Sequence, residues 1–223
     1  KSELMVMEML QSNKWHRPIN FAVTVGNDYY LGLEKYFELR GLAYQITPVA
    51  SSNGQPRVNT DVMFDNLMHK FRYGNVNSPD VYLDENTLRM CGTHRMMFAQ
   101  LVDALLREGK REQAKEALDY CMEVLPGTTV RHNYYSSILA NAYYILNEGD
   151  KADDIIRSIA DDCVQYIDWA NSLKPNKKKT LQSQMGQKWA LLNHVLSISD
   201  RYKRTELLNE YEAAFQQYAV MFN

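Results

Sequence analysis

Asp28, Glu34 and Glu38 fall within eleven residues of one another. They offer a carboxylate pair for acid–base chemistry on a carbohydrate, Asp28 with Glu34 or Glu38. Such a pair needs an ionised partner beside an acid held in an apolar pocket. Aromatic and planar polar side chains surround this stretch: Trp15, His16 and Arg17 precede it, and Tyr29, Tyr30, Tyr36 and Arg40 accompany it. Sugar rings stack their C–H faces on aromatics while their hydroxyls seek donors and acceptors. These seven residues are therefore the candidate contact residues for a ligand or partner, although packing into a core is the competing role for several of them.

Other chemistries find no support in residue spacing. The five histidines, His16, His69, His94, His132 and His194, never form HExxH or share a helical turn, so no metal site is expected. Gly26-Asn27-Asp28 lacks both a GxGxxG pattern and a phosphate-loop lysine, and Ser51-Ser52 lacks the GxSxG elbow of hydrolases. No cofactor is expected. Asp153-Asp154 and Asp161-Asp162 read as solvated helix faces, and the lysine run KPNKKK (174–179) as an exposed interhelical loop, with contact to lipid phosphate or an acidic partner as its functional alternative.

The elements that must position these groups come in two styles. Leu4, Met5, Met7, Met9 and Leu10 are apolar enough for a buried helix at the start. Residues 19–25, β-branched and aromatic between Pro18 and Gly26, predict a strand; a short helix is expected over Leu33 to Leu39, and a second strand over 42–49 ending near Pro48. Asn59, Thr60 or Asp61 can cap a helix whose Phe64, Leu67, Met68 and Phe71 make one stripe. Beyond His94 the apolar period is 3.6 nearly throughout. Phe98, Leu101, Leu105, Gly109, Ala114, Leu118, Cys121 and Pro126 fit the tetratricopeptide hairpin, in which small residues admit a close neighbour and large ones fill the gap. A degenerate second hairpin follows, with Leu139, Ala140 and Tyr143, then Ile156, Ile159 and Val164. Two further helices are expected at 181–197 and, with Leu207, Leu208, Tyr211, Ala214, Phe215, Tyr218 and Phe222, at the end. The last stripe must be covered by the fold or by a partner, a dimer being one way. The expected fold is thus mostly α: a small N-terminal α/β lobe (1–90) followed by antiparallel helical hairpins of tetratricopeptide type (91–223).

Composition limits the partners. With 223 residues and 45% apolar content the chain can bury a full core, and 25 basic against 27 acidic residues leave a net charge of −2, which gathers no nucleic acid. No apolar run is long enough to span a bilayer. The chain opens Lys1-Ser2-Glu3-Leu4, without initiator Met or signal-peptide pattern, as a piece of a longer protein would. Cys91, Cys121 and Cys163 are widely spaced and odd in number; buried free thiols are expected, with a single disulfide as the alternative.

The stretches NKWHRPINFAVTV (13–25), YLGLEKYFELRGLAYQITPV (30–49) and RMMFAQLVDALLREGKREQAKEALDYCMEVLP (95–126) resemble, in that order, the C-terminal soluble region of a large family of Bacteroidetes multi-pass membrane proteins. That family is a domain of unknown function related to protein O-mannosyltransferases, with a glycosyltransferase-C-like membrane part. The resemblance implies a parent that uses a lipid-linked sugar donor and a soluble region on the periplasmic side of the cytoplasmic membrane. It implies that the catalytic carboxylates lie in the membrane part, so none is carried onto this chain. The expected function is a non-catalytic accessory domain that binds a protein or glycan acceptor, or the transmembrane portion of its own parent. A stand-alone carbohydrate-active enzyme using Asp28 with Glu34 or Glu38 is the alternative.

Overall fold

The computed structural model describes residues 2–222, with side chains over 4–222. Lys1 and Asn223, the outer ends of the two expected domains, lie outside the described residues. The fold is mostly α, a small four-stranded sheet near the N-terminus being followed by helical hairpins. Two compact units form, Lys1–Gly74 with Gln100–Tyr120, and Asn75–Ala99 with Cys121–Asn223.

In the first unit, helix α1 (Ser2–Asn13) precedes strands β1 (Asn20–Ala22), β2 (Phe37–Leu39), β3 (Ala43–Ile46) and β4 (Arg57–Val58). The sheet order is β1-β3-β2-β4, antiparallel except for the parallel β2–β4 pair. The register sets Phe21 opposite Tyr44 and Phe37 opposite Ile46. An aromatic core results: Tyr30 meets Phe37 edge-on at 5.0 Å and Phe37 stacks on Tyr44 at 5.5 Å. The helix expected over Leu33 to Leu39 is instead one 3-10 turn, Glu34–Tyr36, running into β2. Phe37 and Leu39 are buried while Glu38 between them is not, so the period here is two; seven residues are too few for apolar spacing to separate that pattern from a helix.

Helix α1 forms where expected but is not buried. Leu4 is 76% exposed, and Met5, Met7 and Met9 are exposed as well. Its apolar residues are spread around the helix rather than gathered on one face, and only a directional stripe can be covered by one neighbour. Leu10 alone packs against the aromatic core.

Asn59 caps helix α2 (Thr60–Asp65) by accepting from the Val62 amide, and the chain continues as a π turn over Asn66–Lys70. The wider turn rotates the stripe, so Met63 and Leu67 are the fully buried pair rather than the expected Phe64, Leu67, Met68 and Phe71 set. Within the same unit Thr60 donates to Glu108, and Lys110 pairs with Asp61 at 2.7 Å and Glu108 at 2.8 Å.

Helices α3 (Glu85–Arg107) and α4 (Arg111–Val124) carry the first hairpin motif. Phe98, Leu101, Leu105, Ala114, Leu118 and Cys121 are all buried, and Gly109, at φ +75°, supplies the left-handed residue that ends α3. The second unit continues with α5 (Tyr134–Ile145), α6 (Gly149–Asn171), α7 (Pro175–Arg201) and α8 (Thr205–Phe222). Helix α6 lies at its centre, packed on α5, α7 and α8. It buries Ile156 and Ile159 as expected, but Cys163 and Ile167 rather than Val164 complete the stripe. On α8, Leu207, Tyr211 and Tyr218 are buried within this unit. The lysine run is not a loop: Lys174 is the N-cap of α7 and Pro175 its first residue, a position that proline favours because its missing N–H is not needed there. All three cysteines are buried free thiols.

Candidate functional site

The sequence-predicted contact residues do not form one pocket. Asn13 closes the end of α1 by accepting from the Arg17 amide at 3.1 Å and donating to the Arg17 carbonyl at 2.7 Å. This clamp holds Lys14 and Trp15 in left-handed backbone (φ +45° and +65°) and leaves Trp15, His16 and Arg17 exposed. Tyr29 is exposed in the next turn, whereas Tyr30 is buried in the aromatic core. Tyr36 is half-buried with Lys35 over its ring, and Arg40 is tied to Glu38 at 2.6 Å.

Asp28 lies exposed in its 3-10 turn and Glu34 half-buried in another, with no hydrogen bond joining them among the described residues. Burial pushes the Glu38 carboxyl up, but hydrogen bonds from Asn59 and Arg40 and the Arg57 charge outweigh it and hold the group below the usual carboxylate range. A proton donor needs the opposite balance.

A second set of polar residues converges where spacing in the sequence gave no warning. In the second unit a groove of about 620 Å³ is lined by Arg131 and His132 from the segment before α5 and by Asp154, Arg157, Asp161 and Asp162 from α6, with Ser158 and Gln165 beside them. That volume suits a ligand or a short peptide segment.

Arg95 builds one wall from behind. Its side chain is fully buried and donates to the carbonyls of Leu125 and Val130 (2.7 and 2.8 Å) and of Arg131 (2.7 Å). Among the described residues no carboxylate meets this cation. Burial lowers its pKa, and burial pushes the neighbouring thiols up, Cys121 to about 12, so neither supplies a counter-charge. The anchor is the link after α4: Leu125 stands next to the helix's last residue, where the dipole is negative, and Val130 and Arg131 lie further along it. Arginine's planar fork reaches these three carbonyls from two separate nitrogens, a spread that lysine's single nitrogen does not offer.

The folded-back segment then places His132. Asn133 and Ser136 form a capping box at the start of α5, the Asn133 amide donating to the Ser136 hydroxyl. That hydroxyl lies 3.1 Å from His132 Nδ1, within hydrogen-bond distance, and so fixes the ring's orientation. Burial, with a smaller contribution from the Arg95 charge, pushes His132 down to about 4. A Cβ on Gly127 would lie 2.3 Å from Nε2, so only glycine admits the ring here.

The opposite wall is a row of engaged charges. Asp162 accepts from Arg131 at 3.2 Å and pairs with Lys188. Asp161 accepts from the Tyr211 hydroxyl at 2.6 Å, and Arg157 pairs with Glu210 at 3.1 Å and Asp154 at 3.7 Å. Asp154 and Asp161 are exposed, as expected for both acidic pairs, although Asp161 also accepts from Tyr211; Asp153 and Asp162 are half-buried in ion pairs instead. With three acids against two arginines and a neutral histidine, the groove offers alternating donors and acceptors rather than a net field. Among the described residues no group of His, Cys, Asp and Glu is arranged to hold a metal, and no helix is long and apolar enough to cross a membrane.

Among known families, TMEM260-associated domain 2 matches this chain over residues 1–63. No curated protein and no solved structure matches it.

Proposed function

We propose that this chain is a non-catalytic interaction domain on the periplasmic side of a membrane-bound, glycosyltransferase-like protein. It holds an acceptor protein or partner beside a sugar-transfer site located elsewhere in its parent. The match of residues 1–63 to a TMEM260-associated domain supports membership in a membrane-protein assembly, and sugar transfer as its chemistry rests on the sequence resemblance to the mannosyltransferase-related family of Bacteroidetes alone.

The groove of the second unit carries the reading. Its acids and cations already satisfy one another or a phenol, and His132 is held neutral against Gly127 and Ser136. Groups so engaged recognise shape and hydrogen-bond pattern; none is a free base or nucleophile. Interleaved charge of both signs suits a polypeptide, which offers amide donors, carbonyl acceptors and side chains of both signs. A phosphate backbone would need a net positive wall.

The test is made in the full-length parent. Arg131→Glu with Arg157→Glu is expected to lower sugar transfer to the protein acceptor at least tenfold while leaving release of sugar from the lipid-linked donor to water unchanged. Unchanged transfer to protein would remove the groove from function, and glycosidase or transferase activity in the 223-residue chain alone would overturn the non-catalytic assignment.

A further inference from the structure

We propose that a second cavity of the helical unit, at the α6–α7 corner, binds an amphiphile with an anionic head group. The apolar chain would lie against Leu173, Met185, Met221 and Phe222, and the head on Lys178 and Lys179 at the start of α7. The cavity measures about 580 Å³. The proposal does not rest on the charged groove.

Three observations converge there. The first is a broken local rule. A helix begins at the positive end of its dipole, where acids stabilise and lysines destabilise, yet α7 opens with Lys174, Lys177, Lys178 and Lys179, with no acid in its first turn and no side-chain cap. Among the described residues no carboxylate pairs with Lys178 or Lys179, so the positive charge is left for something outside the chain. Natural sequences break such rules mainly at functional positions.

The second is the wall. Apolar side chains from the α6–α7 link, from α7 and from the end of α8 line one continuous hollow beneath those lysines. Charge above apolar surface is the pattern an amphiphile complements. The third is Asn171, the last residue of α6, which also lines the cavity. Its amide nitrogen donates to Met221 Sδ at 3.3 Å, but its Oδ1 is buried without a donor. A rotation of this half-buried side chain turns Oδ1 into the hollow, where a hydroxyl on the head, as a singly protonated phosphate or a glycerol carries, would supply the missing hydrogen bond; a bare carboxylate would not.

Trp189 provides the reporter, since it stacks on Phe222 with ring centres 5.9 Å apart. The 223-residue chain carrying Trp15→Phe and Trp169→Phe, both exposed positions, is titrated with dodecyl phosphate, dodecanoate and uncharged dodecyl maltoside below their micelle concentrations. Trp189 emission and calorimetry are followed together. Saturable binding of an anionic amphiphile at one per chain is expected, weakened at least tenfold by Lys178→Glu with Lys179→Glu and abolished by Met221→Arg, while circular dichroism stays unchanged. Preference for dodecyl phosphate that disappears in Asn171→Leu identifies a phosphate head; equal binding of dodecanoate identifies a fatty carboxylate. Absence of saturable binding by either anion, equal binding of dodecyl maltoside, or indifference to the lysine substitutions would overturn the proposal.

Discussion

His132 shows how a single side chain fixes both a local backbone and a pH dependence. Its ring occupies the space that any Cβ at residue 127 would take, and its Nδ1 is spent on Ser136. Protonation would put charge into a partly desolvated position that the Arg95 guanidinium makes more unfavourable still. An unfolded histidine titrates near ~6.5, whereas here the folded value is about 4. Between those values the unfolded chain binds the extra proton, so stability is complete above the unfolded value and declines as pH falls through the window. Burial also lowers His94 and His194, which adds slope of the same sign. Urea unfolding at pH 6.5 and pH 5 is expected to show a loss on acidification, and His132→Gln is expected to remove as much as ~1.4 kcal/mol per pH unit of it, one proton's worth. An identical slope in the variant would mean that His132 titrates normally in the fold.

At the scale of elements, α6 and α8 run parallel and are joined in register. Tyr211 donates to Asp161 at 2.6 Å and Tyr218 to Asp168 at 2.7 Å, each pair offset from the other by seven residues on both helices. Arg204 opens the same seam by donating to Asp153, which also accepts from Tyr144. Seven residues are two helical turns, so the repeat keeps every phenol over the facing acid. Burial raises both phenols further above their usual range, and the acceptor carboxylates add to it, so the hydroxyls stay protonated and donating at any physiological pH. Tyr218→Phe should cost about 1–2 kcal/mol by stranding its half of the bond. A double-mutant cycle of Tyr218→Phe with Asp168→Ala should return a coupling of ~1 kcal/mol. A coupling near zero would show that packing alone holds α8. The seam is only half legible: Tyr211 and Tyr218 fall in the expected stripe and are buried, but apolar periodicity says nothing about a hydroxyl's partner, and no spacing marks the exposed Asp161 and Asp168 as the acceptors. Likewise the groove sets residues 127–132 beside 154–165, and the first of these segments is held by Arg95, at least thirty residues earlier in the chain; no local motif records that fold-back.

For the molecule as a whole, long helices were legible because 3.6-residue spacing accumulates evidence over many turns, while short elements and lone segments were not. Phe37–Leu39 turned from helix to strand, and the lysine run from loop to helix start, because a few residues carry composition without direction. Helix α1 teaches the same lesson most plainly. Its methionines and leucines predict burial by content, yet Leu4, Met5, Met7 and Met9 are exposed, and Leu10 alone reaches the core formed by Tyr30, Phe37 and Ile46. Side chains that bury little surface stabilise little. Removing residues 1–9 should therefore shift the free energy of unfolding by less than about 0.5 kcal/mol, the ordinary range of surface changes. Leu10→Ala in the intact chain should cost more, about 1–2 kcal/mol, because that partly buried residue packs on aromatics whose contacts it leaves empty. Urea titrations followed by circular dichroism compare the two directly. A large loss from the truncation would show that the apolar residues of α1 are covered in solution, and light scattering across a concentration series would then reveal whether a second copy covers them.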